Sequence, residues 1–272
     1  MTLSNEKITR LNPSRGLLKL IEANAPFWGA EAEVIRSYWN SPIRTIETDR
    51  KWLTHQVYKE YWNGVRPYLD LFNEQLPQAA GHEQRNKLMK LSEIVHEEVE
   101  HFVMFADLFQ QLDGNDYAMT PDELRAAGEW AENDALVELR RHHLAESPEI
   151  GQRAMSFSEG GYCALFTEGK KLAGRGGFED ALAEVCRRIY DDEFNHMLLG
   201  IIETDSEQLT DEDWNTLERF TTAQMRQRVE MRNAQFSHPV STERMQDLLA
   251  GKAQAIVFDF SYAERLLNKQ AA

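Results

Sequence analysis

Apolar positions recur at three- and four-residue spacing along most of the chain and nowhere alternate with period two over any length. Two short amphipathic segments, residues 14–24 and 28–39, are separated at Asn24-Ala25-Pro26 and stopped at Asn40-Ser41-Pro42. A long helix is predicted from Thr48-Asp49 to Gln75, kinked at Pro67. A loop at 77–84 leads to a second long helix over 84–112, ending at Asp113-Gly114-Asn115. Thr120-Pro121-Asp122-Glu123 is a strong helix start, with a Thr cap, Pro at the first position and acids in the first turn. That pattern runs to Ala145, breaks at Ser147-Pro148 and resumes to Leu172. The turn at Gly174–Gly177 precedes a helix over 178–204, and Thr210-Asp211-Glu212-Asp213 opens another that ends before His238-Pro239. A last helical pattern begins at Ser241, and residues 1–13 read as a loosely docked arm. The expected fold is all-α, one domain over 1–272.

Composition agrees with long helices: 42% of residues are hydrophobic, against only 8 Pro and 15 Gly. The net charge of −15 leaves no excess cation to neutralise phosphates, so nucleic acid is not an expected partner. Two cysteines, Cys163 and Cys186, without a Cys-x-x-Cys, exclude a cysteine zinc site, a rubredoxin-type iron centre and a disulfide framework. No run approaches 18 apolar residues and residues 1–10 carry no apolar signal core, so a cytoplasmic protein without a membrane partner is expected.

The informative pattern is Glu-x-x-His, which puts both side chains on one helix face about a turn apart. With 30 glutamates and 8 histidines in 272 residues, about one such pair is expected by chance, and three occur. Helix phase separates them. Glu98 lies in the stripe of Leu91, Ile94, Val95, Phe102, Phe105 and Phe109, with His101 on its flank, whereas Glu93 and His96 point the other way. Glu193 and His196 fall inside the stripe of Leu182, Val185, Cys186, Ile189, Met197 and Leu199. An unpaired buried carboxylate costs several kcal/mol, so a Glu and a His on the apolar face of each of two helices call for a compensating cation.

Two such pairs on facing helices, each joined by one further glutamate, make a dinuclear carboxylate site in a bundle. Glu159, in an otherwise apolar stretch 34 residues before Glu193, is the candidate beside the second pair. Glu60, 38 residues before Glu98, is the candidate beside the first, with Glu74 the weaker substitute; Glu168 reads as surface. Four carboxylates balance two Fe²⁺, and oxygen plus imidazole donors suit iron or manganese. Elsewhere Trp28, Tyr38 and Trp39 read as core, and His55 and His82 as surface. The run Arg140-Arg141-His142-His143 reads as a solvated face that could also meet an anionic substrate, and Ile256–Phe260 as a closing strap or subunit contact.

The order Glu60, Glu98/His101, Glu159, Glu193/His196, with the doublets Glu97-Glu98 and Asp192-Glu193, resembles the ferritin-like di-iron carboxylate superfamily over about residues 49–204. The resemblance implies a four-helix bundle core with additional N- and C-terminal helices. It also implies two bound irons, with manganese an alternative at either position, reacting with O₂ and a small organic substrate to hydroxylate, desaturate or cleave it. It further implies an electron donor such as a reductase or ferredoxin, and a homodimer is compatible with it. Asp192, with Tyr190 or Asn195, would orient the histidines; Cys163 would line the pocket and Gly160-Gly161 would leave room there. Haem-oxygenase-like di-iron oxidases use similar ligands on a different helical arrangement. Their extra histidine corresponds here to Ile189, while Asp192/His196 has their Asp-x-x-x-His spacing. Iron storage or peroxide scavenging, and a metal-free helical interaction protein, are the other readings.

Overall fold

The computed structural model describes residues 10–206 and 208–271, so residues 1–9 of the expected arm lie outside the described residues. Every regular element is helical, with no strand among the described residues. The helices are α1 (Arg15–Trp39), α2 (Ile46–Lys59), α3 (Arg66–Gln75), α4 (His82–Asp113), α5 (Pro121–Gly128) and α6 (Ala131–Glu146). They continue with α7 (Pro148–Ser158), α8 (Ala164–Lys170), α9 (Gly177–Thr204), α10 (Asp211–Gln235), α11 (Thr242–Leu249) and α12 (Phe260–Ala271). None is long and apolar enough to cross a membrane.

The helix starts carry the chemistry that their sequences promise. Thr120 with Glu123 and Thr210 with Asp213 form reciprocal capping boxes, each satisfying otherwise orphaned backbone N–H groups. Thr45 with Thr48 does the same for α2, three residues upstream of the expected cap.

Four expectations are corrected. Pro26 does not break the first helix: α1 is continuous from Arg15 to Trp39. An interior Pro costs about 3 kcal/mol, and packing outweighs it here, since α1 lies against α10 and α8 with Trp28, Ala30, Val34 and Ile35 wholly buried. Ahead of Pro67 lies a wide π-helical turn, Glu60–Val65, rather than a simple kink; the Arg66 N–H reaches back five residues to the Tyr61 carbonyl. The pattern over 121–145 is two helices, broken at Glu129-Trp130, and the pattern over 148–172 is broken from Glu159 to Cys163. In that second break Gly160, Gly161 and Cys163 all have positive φ. A Cβ on Gly161 would lie 2.5 Å from Glu31 Oε2, so only glycine fits there.

The N- and C-terminal helices are pillars of the core rather than appendages. The α1–α10 pairing is the most extensive in the molecule, and α10 also packs on α6 and α7. Trp39, Trp52, Tyr38 and Phe236 interlock edge-to-face and tilted at one end of this core, as expected for Tyr38 and Trp39. Inside it lies a buried ion triad. Glu31 of α1 is fully enclosed and accepts from Arg228 Nε at 2.8 Å and Arg232 Nε at 2.7 Å. On the far side α4 runs antiparallel to α9, since His101 meets Asp192 while Glu97 meets His196.

Replacing Glu31 by Gln strands two buried guanidiniums, so the unfolding free energy in urea should fall by roughly 3–5 kcal/mol. The exposed Glu138→Gln, measured alongside, should stay within about 0.5 kcal/mol of the parent.

Candidate metal centre

Glu98 and His101 of α4, Glu193 and His196 of α9, and Glu60 at the first position of the π-helical turn converge on one region. The helix phases expected for them hold: Glu98 and His101 are buried, Glu193 and His196 nearly so, and Glu93 and His96 are exposed. Two groups of three donors form. Ligand atoms of Glu60, His101 and Glu193 lie within 4.8 Å of one another, as do those of Glu98, Glu193 and His196. Glu193 belongs to both.

The two histidines are oriented reciprocally. His101 Nε2–H donates across the helix pair to Asp192 Oδ2 at 3.4 Å, and His196 Nε2–H donates to Glu97 Oε2 at 3.1 Å. Each acid directly precedes the site glutamate of its own helix and holds the histidine of the other. Both Nδ1 atoms are thereby turned inward: His101 Nδ1 is 3.4 Å from Glu193 Oε1 and His196 Nδ1 is 3.9 Å from Glu98 Oε1. His101 Nδ1 is buried and has no hydrogen-bond partner. Asp192 thus contacts the histidine of the facing helix, and Glu97, named above only in its doublet with Glu98, is its counterpart. The clue was the acid–Glu doublet at both places.

The remaining expected residues are placed as follows. Glu60 is buried and its Oε1 accepts from the Gln56 amide at 2.5 Å; Glu74 is exposed. The carbonyl oxygen of that same Gln56 accepts from Arg232 and Gln235, which fixes the amide's orientation and ties Glu60 to the Glu31 triad. Glu159 lies in neither donor group. It is exposed at the C-terminal end of α7, where Tyr68 Oη donates to Oε1 at 3.4 Å, and it lines the cavity beside the centre. Gly160 lines the same cavity, and a Cβ there would sit 3.4 Å from Glu193 Oε2. Gly64 is more restrictive: a Cβ would lie 2.2 Å from Glu98 Oε2.

Cys163 is buried at the start of α8 and is not among the residues lining that cavity. Burial, reinforced by Glu193, pushes its thiol well above the ordinary value. Tyr190 packs against Phe194, Tyr262 and the Lys170 ammonium and does not reach the histidines. Three surface expectations fail. In the run Arg140–His143, read as a solvated face, His143 is buried and stacked on Phe220, and Arg140 lines the cavity. Glu168 is buried and paired with Arg36 and Lys171, and His55 is buried, its Nδ1–H donating to the Gly128 carbonyl. Lys59, Arg140, Arg228 and Arg232 also line the cavity, of which the sequence reading had noticed only Arg140.

The titration of the cluster reflects like charges enclosed together. Burial, with Glu193 and Glu60 nearby, pushes Glu98 up to about 8; burial and Glu193 also raise Glu60. Burial opposes charging of His101, but Asp192, Glu193 and Glu60 outweigh it and raise it to about 11. His196 rises in the same way to about 9, through Glu97, Glu193 and Glu98. Glu193 is lowered to about 2, because the two histidines overcome its burial. Protons thus supply the positive charge that this donor set needs. Buried carboxylates and inward imidazole nitrogens, one of them without a hydrogen-bond partner, fit a pair of hard or borderline cations that displace those protons. No family model, curated protein or solved structure matches the chain.

Metal ligands must be deprotonated, so metal binding competes with these protons. The raised pKa values of Glu98, His196 and His101 stabilise the metal-free fold below their ordinary values. That contribution fades as pH rises through about 8, 9 and 11 respectively. The rise in melting temperature caused by Mn²⁺ should therefore grow between pH 6 and 9. Calorimetric titrations in buffers of different ionisation enthalpy should show about three protons released per chain at pH 7, one each from Glu98, His101 and His196.

Proposed function

We propose that this chain is a non-haem di-iron protein that reacts with O₂ and oxidises a small organic substrate. The observation that carries the reading is the pair of three-donor groups sharing Glu193. Glu60, His101 and Glu193 would hold one iron and Glu98, Glu193 and His196 the other, while Glu159, outside both groups, lines the adjoining cavity. Manganese at either position fits the same donors. Bound iron would supply the reduction of O₂, with electrons from a reductase or ferredoxin. The residues of the chain supply the rest. Asp192 and Glu97 keep protons on the outer nitrogens of His101 and His196 so that the inner nitrogens stay free to ligate. Gln56 holds Glu60, and the close approach of Gly64 and Gly160 keeps the carboxylates of Glu98 and Glu193 packed against backbone. Phe166, which lines the cavity, and Phe105, packed against it, limit water.

The donor order supports a ferritin-like di-iron carboxylate protein. The haem-oxygenase-like arrangement of the same donors is the second reading, favoured by the Asp-x-x-x-His spacing of Asp192 and His196. Storage would reveal itself as a large hollow assembly on sizing, and an oxidase as a monomer or homodimer.

Protein from iron-supplemented cells, or reconstituted anaerobically with Fe²⁺, should hold about two irons per chain and consume O₂ when reduced. Glu193→Ala should lose both metals, because both donor groups depend on it, whereas Glu93→Ala should lose neither. Less than about half an iron per chain after reconstitution, as for a metal-free interaction protein, sinks the di-iron reading.

A further inference from the structure

The cavity beside the candidate metal centre is lined by side chains of both charges: Glu60, Glu98, Glu159 and Glu193, with Lys59, Arg140, Arg228 and Arg232. Two of the guanidiniums keep donors without acceptors. Glu31 is the carboxylate that both Arg228 and Arg232 contact. Among the described residues Arg228 donates only from Nε, to Glu31, which leaves both terminal nitrogens without an acceptor in a residue that lines the cavity. Arg140 donates from one terminal nitrogen to the carbonyl and hydroxyl of Ser158, while its Nε is buried without a partner. Buried guanidinium groups without acceptors are expensive, and a guanidinium fork matches a carboxylate in two parallel hydrogen bonds.

We propose that Arg140 and Arg228 form the recognition subsite for the carboxylate of a small organic acid, and that this acid is the substrate class of the neighbouring centre. The assignment of substrate rests on reading that centre as a di-iron site; the binding subsite does not. Three observations select this ligand. The first is size: the cavity is about 110 Å³. It is smaller than the enclosed cavity of about 150 Å³ that accommodates benzene, so it takes a carboxylate carrying only a short chain. The second is donor geometry. Arg140 Nε and the terminal nitrogens of Arg228 have no acceptor among the described residues, and paired N–H donors of a guanidinium match the two oxygens of one carboxylate.

The third is distance. A Cβ on Gly160 would lie 3.4 Å from Glu193 Oε2, and a Cβ on the next residue, Gly161, would lie 2.7 Å from Arg228 Nε. Arg228 and Glu193 thus flank the same pair of adjacent glycines, and an acid held at Arg228 lies in the cavity that the site carboxylates also line.

The test is calorimetric titration of butyrate into the full chain, metal-free so that no iron can take up the carboxylate, with butyramide and inorganic phosphate as comparison probes. Butyrate should bind at least tenfold more tightly than the isosteric butyramide and more tightly than phosphate. Arg140→Met should weaken butyrate at least fivefold, and the exposed Arg141→Met should leave it unchanged. Equal affinity for butyrate and butyramide, or no butyrate binding, overturns the subsite; tighter phosphate binding overturns the carboxylate assignment. The comparison of probes on the parent protein stands even if Arg140→Met fails to fold. Iron content is read separately. Butyrate selectivity in a chain that takes up no iron leaves the subsite intact and removes the di-iron reading, while two irons without butyrate selectivity does the reverse.

Discussion

The structure turns on the enclosure of three carboxylates, Glu60, Glu98 and Glu193, with two histidines between antiparallel helices and a widened helical turn. Like charges at this separation in a dry environment cannot all persist without cations. The same residue type consequently behaves in opposite ways. Glu193, flanked by both histidines, is a strong acid near 2, and Glu98, facing Glu193 and Glu60, is a weak one near 8. The reciprocal contacts of Asp192 with His101 and Glu97 with His196 set which imidazole nitrogen faces inward, and so decide what the cluster can bind.

A second layer of buried charge supports the first. Glu31 gathers Arg228 and Arg232, and Arg232 passes through Gln56 to Glu60. Both backbone irregularities near the site adjoin these layers. The π-helical turn begins at Glu60 and brings Gly64 against Glu98, and the left-handed pair Gly160-Gly161 lies between Glu193 and the Glu31–Arg228 contact. Regular helix at either place would put side chains where carboxylates and guanidiniums now pack. Local strain of this kind persists where the surrounding packing over-determines it.

Much of this was legible from residue order. Helical periodicity and cap residues located most of the helix ends, and phase within apolar stripes separated Glu98/His101 and Glu193/His196 from the exposed Glu93/His96. The same test, applied to other charged residues, had the power to find Glu31, which sits between Phe27 and Ile35 in a nearly unbroken apolar run, and Arg228 and Arg232, four residues apart among Met225, Val229 and Met231. It was less able to place Glu168 and His55. Their burial depends on partners from distant segments: Arg36 for Glu168 and the Gly128 carbonyl for His55.

Sequence alone determined the all-helical class, most element boundaries and the inward direction of the two Glu-x-x-His pairs. Each of these follows from interactions within a turn or two of one helix. Tertiary structure alone decided that Pro26 lies within a continuous helix, that the chain unwinds from Glu159 to Cys163, and that Glu60 joins the donor groups while Glu159 stands apart. It also decided that Arg140, Arg228 and Arg232 face the same cavity as the carboxylates. Those outcomes depend on which surfaces of separate helices meet, and local periodicity carries no record of that choice.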